Sequence, residues 1–182
     1  MRTEIRFAGF GGQGIIKSGI IVASAASIHG GKNAVQTQSY GPESRGGACK
    51  SEVVISEEAV DFPKVTEPDI LVAMSQHAYN EYLGDVKQGG IIILDPDMIP
   101  HEKEIVNVKV YRVSATKIAE QLGKKIVANI VMLGAFVAIT NVLDANMVRE
   151  SIKENIPKGT EELNLTAFDK GFALGKNLAK TC

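Results

Sequence analysis

Two glycine-rich stretches and one helix start hold the side chains best suited to chemistry. The first, Gly9-Phe10-Gly11-Gly12-Gln13-Gly14, fits the G-x-G-x-x-G pattern between an apolar run and a helical one. Glycines let the backbone turn tightly and approach a ligand. A helix starting there offers unpaired N–H groups and a partial positive charge to an anion. Gln13 donates and accepts hydrogen bonds, which suits a polar substrate, a neighbouring subunit's backbone or an ordinary helix start. The second stretch is Ser39-Tyr40-Gly41-Pro42-Glu43-Ser44-Arg45-Gly46-Gly47. Its composition reads as a loop that carries function. Arg45 offers a bidentate cation to a carboxylate or phosphate, or pairs with Glu43 on the surface. Tyr40, apolar in body and polar at the tip, suits an interface or loop packing. Asn129 opens a later helix, as a cap or as a contact.

Several chemistries are argued against. A dinucleotide site places Asp or Glu about 20 residues after the glycines; here the region reads Asn33-Ala34-Val35-Gln36-Thr37-Gln38. No Gly-Lys-Ser/Thr follows the turn, which excludes a P-loop. An anion contact, a partner contact and a purely structural turn stay open. The two cysteines, Cys49 and Cys182, are far apart, so the chain alone is expected to hold neither zinc nor an iron–sulfur cluster. His29, His77 and His101 lack metal spacing and read as surface or capping residues. We assign no catalytic residue. Ser75 and Gln76, after a buried strand, are secondary candidates, because open α/β sheets collect ligands at the carboxyl ends of their strands. With 20 basic and 21 acidic residues, no basic footprint for nucleic acid exists. Apolar runs stop short of the roughly 18 residues of a membrane span, and the first residues show no signal-peptide pattern, so a cytoplasmic chain is expected.

These residues need a scaffold of alternating strands and helices. Strands are predicted at 3–9, 33–38, 50–56, 69–74, 91–94 and 108–113. Helices are predicted at 12–28, 76–83, 114–122 with Ser114 as N-cap, 129–140, 144–155 and 161–180. The glycines of His29-Gly30-Gly31 end the first helix. The first forty residues read as a βαβ unit with a right-handed crossover. The 50–56 strand alternates polar and apolar residues, as a strand with one wet face does. The expectation is a single doubly wound Rossmann-like α/β domain over 1–182, mostly parallel, with helices on both faces and extra C-terminal helices. Composition agrees: 45% hydrophobic but only 5% aromatic, which suits a sheet buried under aliphatic side chains.

The glycine turn, the Ser39–Gly47 loop and Asn129-Ile130-Val131-Met132-Leu133-Gly134, in this order and spacing, resemble the gamma subunit of 2-oxoacid:ferredoxin oxidoreductases across nearly the whole chain. The loop looks most like the 2-oxoglutarate branch; pyruvate, ketoisovalerate and indolepyruvate branches stay open, and a stand-alone nucleotide-binding protein is the rival outside the family. The resemblance implies a complex that oxidises a 2-oxoacid with coenzyme A, using thiamine diphosphate, Mg2+ and [4Fe–4S] clusters. It implies alpha, beta and ferredoxin-like delta partner subunits, with ferredoxin or a similar acceptor. The nearest approach to a thiamine motif is Gly84-Asp85-Val86, which lacks the second glycine. Those cofactors are therefore expected on the partners, and the turn, the loop and Asn129 are expected to contact coenzyme A, substrate or a partner.

Overall fold

The computed structural model describes residues 1–40 and 48–181, with Tyr40 described by its backbone alone. The expectations for Gly41, Pro42, Glu43, Ser44, Arg45, Gly46, Gly47 and Cys182 lie outside the described residues.

Six strands form one sheet in the order β2-β3-β1-β4-β5-β6. They are β1 (Arg2–Phe10), β2 (Asn33–Tyr40), β3 (Ala48–Ser56), β4 (Ile70–Ala73), β5 (Ile91–Leu94) and β6 (Lys109–Arg112). The pairs β1–β4, β4–β5 and β5–β6 are parallel, and β3 runs antiparallel to both β1 and β2. Only β3 is reversed, so the sheet is mostly parallel, as expected. The βαβ reading of the first forty residues needs one amendment. β1 and β2 run the same way, but β3 folds back between them.

That placement also corrects the expected wet face of β3. As an inner strand it has a neighbour on each edge, and every described residue except Lys50 is buried. Ser51 takes a hydrogen bond from the Gln36 carboxamide at 2.8 Å. Glu52 pairs with the guanidinium of Arg6 at 2.7 Å and with Lys50 at 3.0 Å. Arg6, only 2% exposed, also reaches Asp85 and the Val65 carbonyl and stacks on Tyr82. Polar alternation here marks a buried ion network, since a buried charge needs partners in place of water.

The helices are α1 (Ile15–Ser24), α2 (Gln76–Tyr82), α3 (Ala115–Gln121), α4 (Ala128–Thr140), α5 (Ala145–Asn155) and α6 (Glu161–Ala179). α1 begins later than predicted, because Gly11 to Gly14 form the turn, and it runs into a π-helical turn, Ala25–His29. There the Ile21 carbonyl takes the Ser151 hydroxyl at 2.8 Å besides the Ala25 amide, a second donor that loosens the ladder. Gly31, at φ +63, then ends the helix, with Lys32 N–H closing on the Ala26 carbonyl at 3.0 Å.

The two faces of the sheet carry unequal cores. On one face Ile5, Phe7, Val53, Val72 and Ile93 pack with α1 and α4 and the helices around them. On the other Ala8, Leu71, Ala73, Ile92 and Leu94 meet α2, Ile99 and the partly buried Leu83, Val86, Ile105, Val108 and Val110. α4 has no charged residue and is buried from Ala128 to Ile139, so neighbours surround it. The Ser114 side chain does not cap α3. The buried carboxylate of Asp95, just past β5, does so by accepting Thr116 N–H at 2.8 Å and the Thr116 hydroxyl at 2.6 Å. That partner lies 21 residues back in the chain, beyond the reach of a local capping rule.

Candidate functional site

β1 leaves the sheet at Phe10, and Gly12 (φ +96) and Gly14 (φ +76) hold left-handed conformations that suit glycine. Gly14 occupies the N-cap of α1, so no side chain caps that helix, and its first turn has no acidic residue. The amides of this turn have no intrahelical acceptor and the positive helix end is uncompensated.

Two neighbouring elements lock the turn. Gln13 accepts from Phe10 N–H at 2.9 Å through Oε1 and donates to the Met74 carbonyl at 2.7 Å through Nε2. Asn129 lies inside α4 and donates to the Gly14 carbonyl at 3.3 Å, so it braces the turn rather than capping its own helix. A Cβ at Gly14 would fall 2.3 Å from Asn129 Nδ2.

Two cavities flank the turn and share Gly12 and Ile126. One, of about 260 Å3, has an apolar wall of Phe10, Met74, Met98 and Ile126, with Gln13, Thr116 and Lys125 beside it. The other, of about 350 Å3, runs past Gly14, Lys17, Lys124 and Asn129 to the α5–α6 connection at Pro157 and Thr160. Ile126 is 74% exposed on the ridge between them. Lys17 and Lys124 have no carboxylate partner among the described residues, and Lys125 pairs with Glu120 at 3.3 Å. The two adjoining cavities form an elongated, mainly apolar cleft with lysines along it, and the Gln13 backbone amide of the turn is taken by the Phe10 carbonyl at 3.2 Å.

Of the predicted residues, Gly12, Gln13, Gly14 and Asn129 line this cleft, and Gly9 and Gly11 belong to the turn. Gly9 leaves room for Gln13 to fold back, since a Cβ there would meet Gln13 Oε1 at 2.3 Å. Ser39 and Tyr40 end β2, beyond β3 from the turn. Ser75 caps α2 by accepting Ala78 N–H, and Gln76 makes two bonds to the His101 backbone. Neither lines the cleft. Of the histidines, His29 bonds Glu154 at 3.0 Å and His77 pairs with Glu81 at 3.6 Å, both in surface pairs. Cys49 is buried and its thiol is pushed up by burial, so little thiolate forms. Sequence reading missed Lys17, Lys124, Lys125 and Ile126. The exposed Lys-Lys-Ile after Gly123, directly before a fully apolar helix, was the available signal.

The geometry also argues against a dinucleotide. With β3 inserted, the end of β2 stands two strand spacings from β1, about 10 Å instead of about 5 Å. Ribose contacts from that strand are thereby out of register, besides lacking an acid. Among the described residues no three His, Cys, Asp or Glu side chains come together as a metal site, and no helix is long and apolar enough to cross a membrane. Neither thiamine diphosphate, which needs a metal–diphosphate motif, nor an iron–sulfur cluster fits these residues.

The fold and turn thus define a doubly wound α/β chain with a glycine turn at the carboxyl end of its first strand. The chain belongs to the pyruvate ferredoxin/flavodoxin oxidoreductase family, whose sequence profile matches residues 4–174. It is 53% identical over 180 residues to the 2-oxoglutarate synthase subunit KorC of Methanocaldococcus jannaschii, covering 98% of this chain and 96% of that one. The keto/oxoacid ferredoxin oxidoreductase gamma subunit from Geobacter sulfurreducens PCA superposes with a TM-score of 0.89 at 43% identity, over 98% of both chains. The 2-oxoglutarate:ferredoxin oxidoreductase from Magnetococcus marinus, solved with 2-oxoglutarate, coenzyme A and succinyl-CoA bound, superposes at 0.86 and 28% identity over 97% of this chain but 31% of that longer one.

Proposed function

We propose that this chain is the gamma subunit of a 2-oxoglutarate:ferredoxin oxidoreductase, forming one gamma-type domain over 1–182. The complex converts 2-oxoglutarate, coenzyme A and oxidised ferredoxin to succinyl-CoA, carbon dioxide and reduced ferredoxin. The end-to-end identity of 53% to a 2-oxoglutarate synthase subunit carries this reading. Thiamine diphosphate, Mg2+ and [4Fe–4S] clusters reside on alpha, beta and ferredoxin-like delta partners in the cytoplasm; this sequence has two distant cysteines and no Gly-Asp-Gly motif for them. Such cofactors supply the carbon and electron chemistry.

The chain's own part is to form the coenzyme A side of the assembled active site. Coenzyme A is long, with phosphates at one end and a slender, mostly neutral arm at the other. Both cavities combine apolar lining with lysine at the rim: Lys17, Lys124 and Lys125 suit phosphate, and the apolar walls suit the arm. The Ser39, Tyr40 and Arg45 stretch contacts a partner subunit or substrate. Partner chains purified with and without this one, assayed for 2-oxoglutarate-dependent viologen reduction, test the proposal. Activity is expected only with the gamma chain present, and higher with 2-oxoglutarate than with pyruvate, 2-oxoisovalerate or indolepyruvate. Full turnover in its absence removes the required role, and preference for another oxoacid moves the chain to that branch.

A further inference from the structure

The parallel ladder between β1 and β4 ends in an unusual way. Ala8 pairs with Ala73, and Met74 N–H donates to the Ala8 carbonyl at 2.8 Å. In a parallel ladder the next bond would run from Phe10 N–H to the Met74 carbonyl. That bond is replaced. Phe10 N–H donates to Gln13 Oε1, and Gln13 Nε2 donates to the Met74 carbonyl. The carboxamide sits between the two strands as a peptide group would. This is the topological switch point, where α1 leaves over one face and α2 over the other. It is also the floor of the cleft, which Phe10, Gln13 and Met74 line together.

We propose that Gln13 is a positioning residue for coenzyme A: its carboxamide is a wedge that sets the opening between β1 and β4 and so fixes the glycine turn relative to the apolar wall. The inference rests on the coenzyme A reading above. The wedge requires a group of this length that accepts on one atom and donates on the other. Glutamine satisfies this at any ordinary pH. Methionine has the length without the bonds. Glutamate has both functions only while protonated, because an ionised carboxylate has no hydrogen to give Met74 and repels its carbonyl oxygen.

The test compares Gln13→Met and Gln13→Glu with the wild type in the assembled complex between pH 6 and 8. For Gln13→Met, KM for coenzyme A is expected to rise about tenfold at every pH, with kcat at saturating coenzyme A and KM for 2-oxoglutarate within twofold of wild type. For Gln13→Glu, ionised across this range as an ordinary carboxylate of about 4.3, KM for coenzyme A is expected to be at least that of Gln13→Met. The other titratable groups at this cleft, Lys17, Lys124 and Lys125 along it and Asp95 beneath Thr116, are common to both variants, so the difference between the two isolates residue 13. Thermal unfolding of the full chain gives a second readout that needs no coenzyme A. The midpoint deficit of Gln13→Glu shrinks as pH falls from about 8 to about 4, through the carboxylate range, while that of Gln13→Met stays flat. Identical pH profiles for the two variants in thermal unfolding, or a wild-type KM for coenzyme A in Gln13→Glu at pH 8, overturn the wedge. If the unfolding behaves as expected but coenzyme A neither protects residues 9–17 of the wild-type complex from amide exchange nor responds to the substitutions, the coenzyme A reading fails and the positioning role falls with it.

Discussion

Glycine performs two different jobs in this molecule. In the turn, Gly11 and Gly12 are exposed, and a Cβ added to either would meet nothing within 4 Å. At the seam between α4 and α6 the reverse holds. A Cβ on Gly171 would fall 1.8 Å from the Val131 carbonyl oxygen, one on Gly134 2.1 Å from the Phe168 carbonyl oxygen, and one on Gly175 2.7 Å from the Ala135 carbonyl oxygen. At Gly11 and Gly12 glycine leaves space outside the protein, and at Gly12 it also holds a left-handed backbone. The seam uses it to remove space inside, so that two helix backbones touch. The same residue type is therefore a clue to a site in one place and to packing in the other. Exposure of the missing side chain's position separates the two cases.

Substitution at the seam is the strongest way to break this comparison. Gly171→Ala forces α6 off α4 and is expected to cost about 3 kcal/mol, the upper range for overpacking. Gly134→Ala is expected to cost a similar amount. The double variant should cost less than the sum, since one displacement of α6 relieves both. Urea unfolding of the full chain measures all three. A neutral Gly171→Ala would show that the seam has slack and that its glycines are incidental.

The turn should respond in the opposite sense. Gly12→Ala places a side chain at φ +96 and is expected to cost about 1–2 kcal/mol through backbone strain. Gly11→Ala, with ordinary backbone and open space, is expected to stay within about 0.5 kcal/mol of wild type. In the assembled enzyme both should raise KM for coenzyme A, because the added methyl occupies the approach to the turn. Loss of stability without loss of affinity would transfer the turn to the structural class occupied by the seam.

The smallest effect concerns the capped floor of the cleft. Burial raises the Asp95 carboxyl above its ordinary value, against the pull of its bonds from Thr116 and Asp97. A raised carboxyl contributes stability that is fully present below the unfolded value of 3.8 and is lost as pH rises through the folded one. Relative to Asp95→Asn, the wild type should therefore lose stability as pH rises from 3.5 through the acid range. Thermal midpoints of the two chains measure this. A gap that widens instead would show that the Thr116 bonds outweigh burial.

Much of the scaffold was legible because it is local. The apolar run Ile91–Leu94 between Gly90 and Asp95 could hardly be anything but a strand, and β5 has those bounds. The charge-free stretch after Lys125 read as a helix and is α4. Misreadings arose where a partner is distant. Ser114 had the right type and place for a cap, but Asp95 reached α3 first in three dimensions. Asn129, left open between a cap and a contact, holds Gly14, 115 residues earlier. The alternation in β3 predicted water on one face, but Arg6 waits there 46 residues away.

The amino-acid sequence alone determined the alternation of strands and helices, the left-handed positions of the turn, and the shortage of cysteine and acidic motifs for a cofactor. These follow from local backbone preference and from composition, which no fold can alter. Only the tertiary structure decided that β3 separates β1 from β2, that Gln13 takes the place of a peptide bond between β1 and β4, and that Lys17, Lys124 and Ile126 meet around one glycine. Hydrogen-bond partners and neighbours are chosen by proximity in space, and proximity is set by the packing of the whole chain.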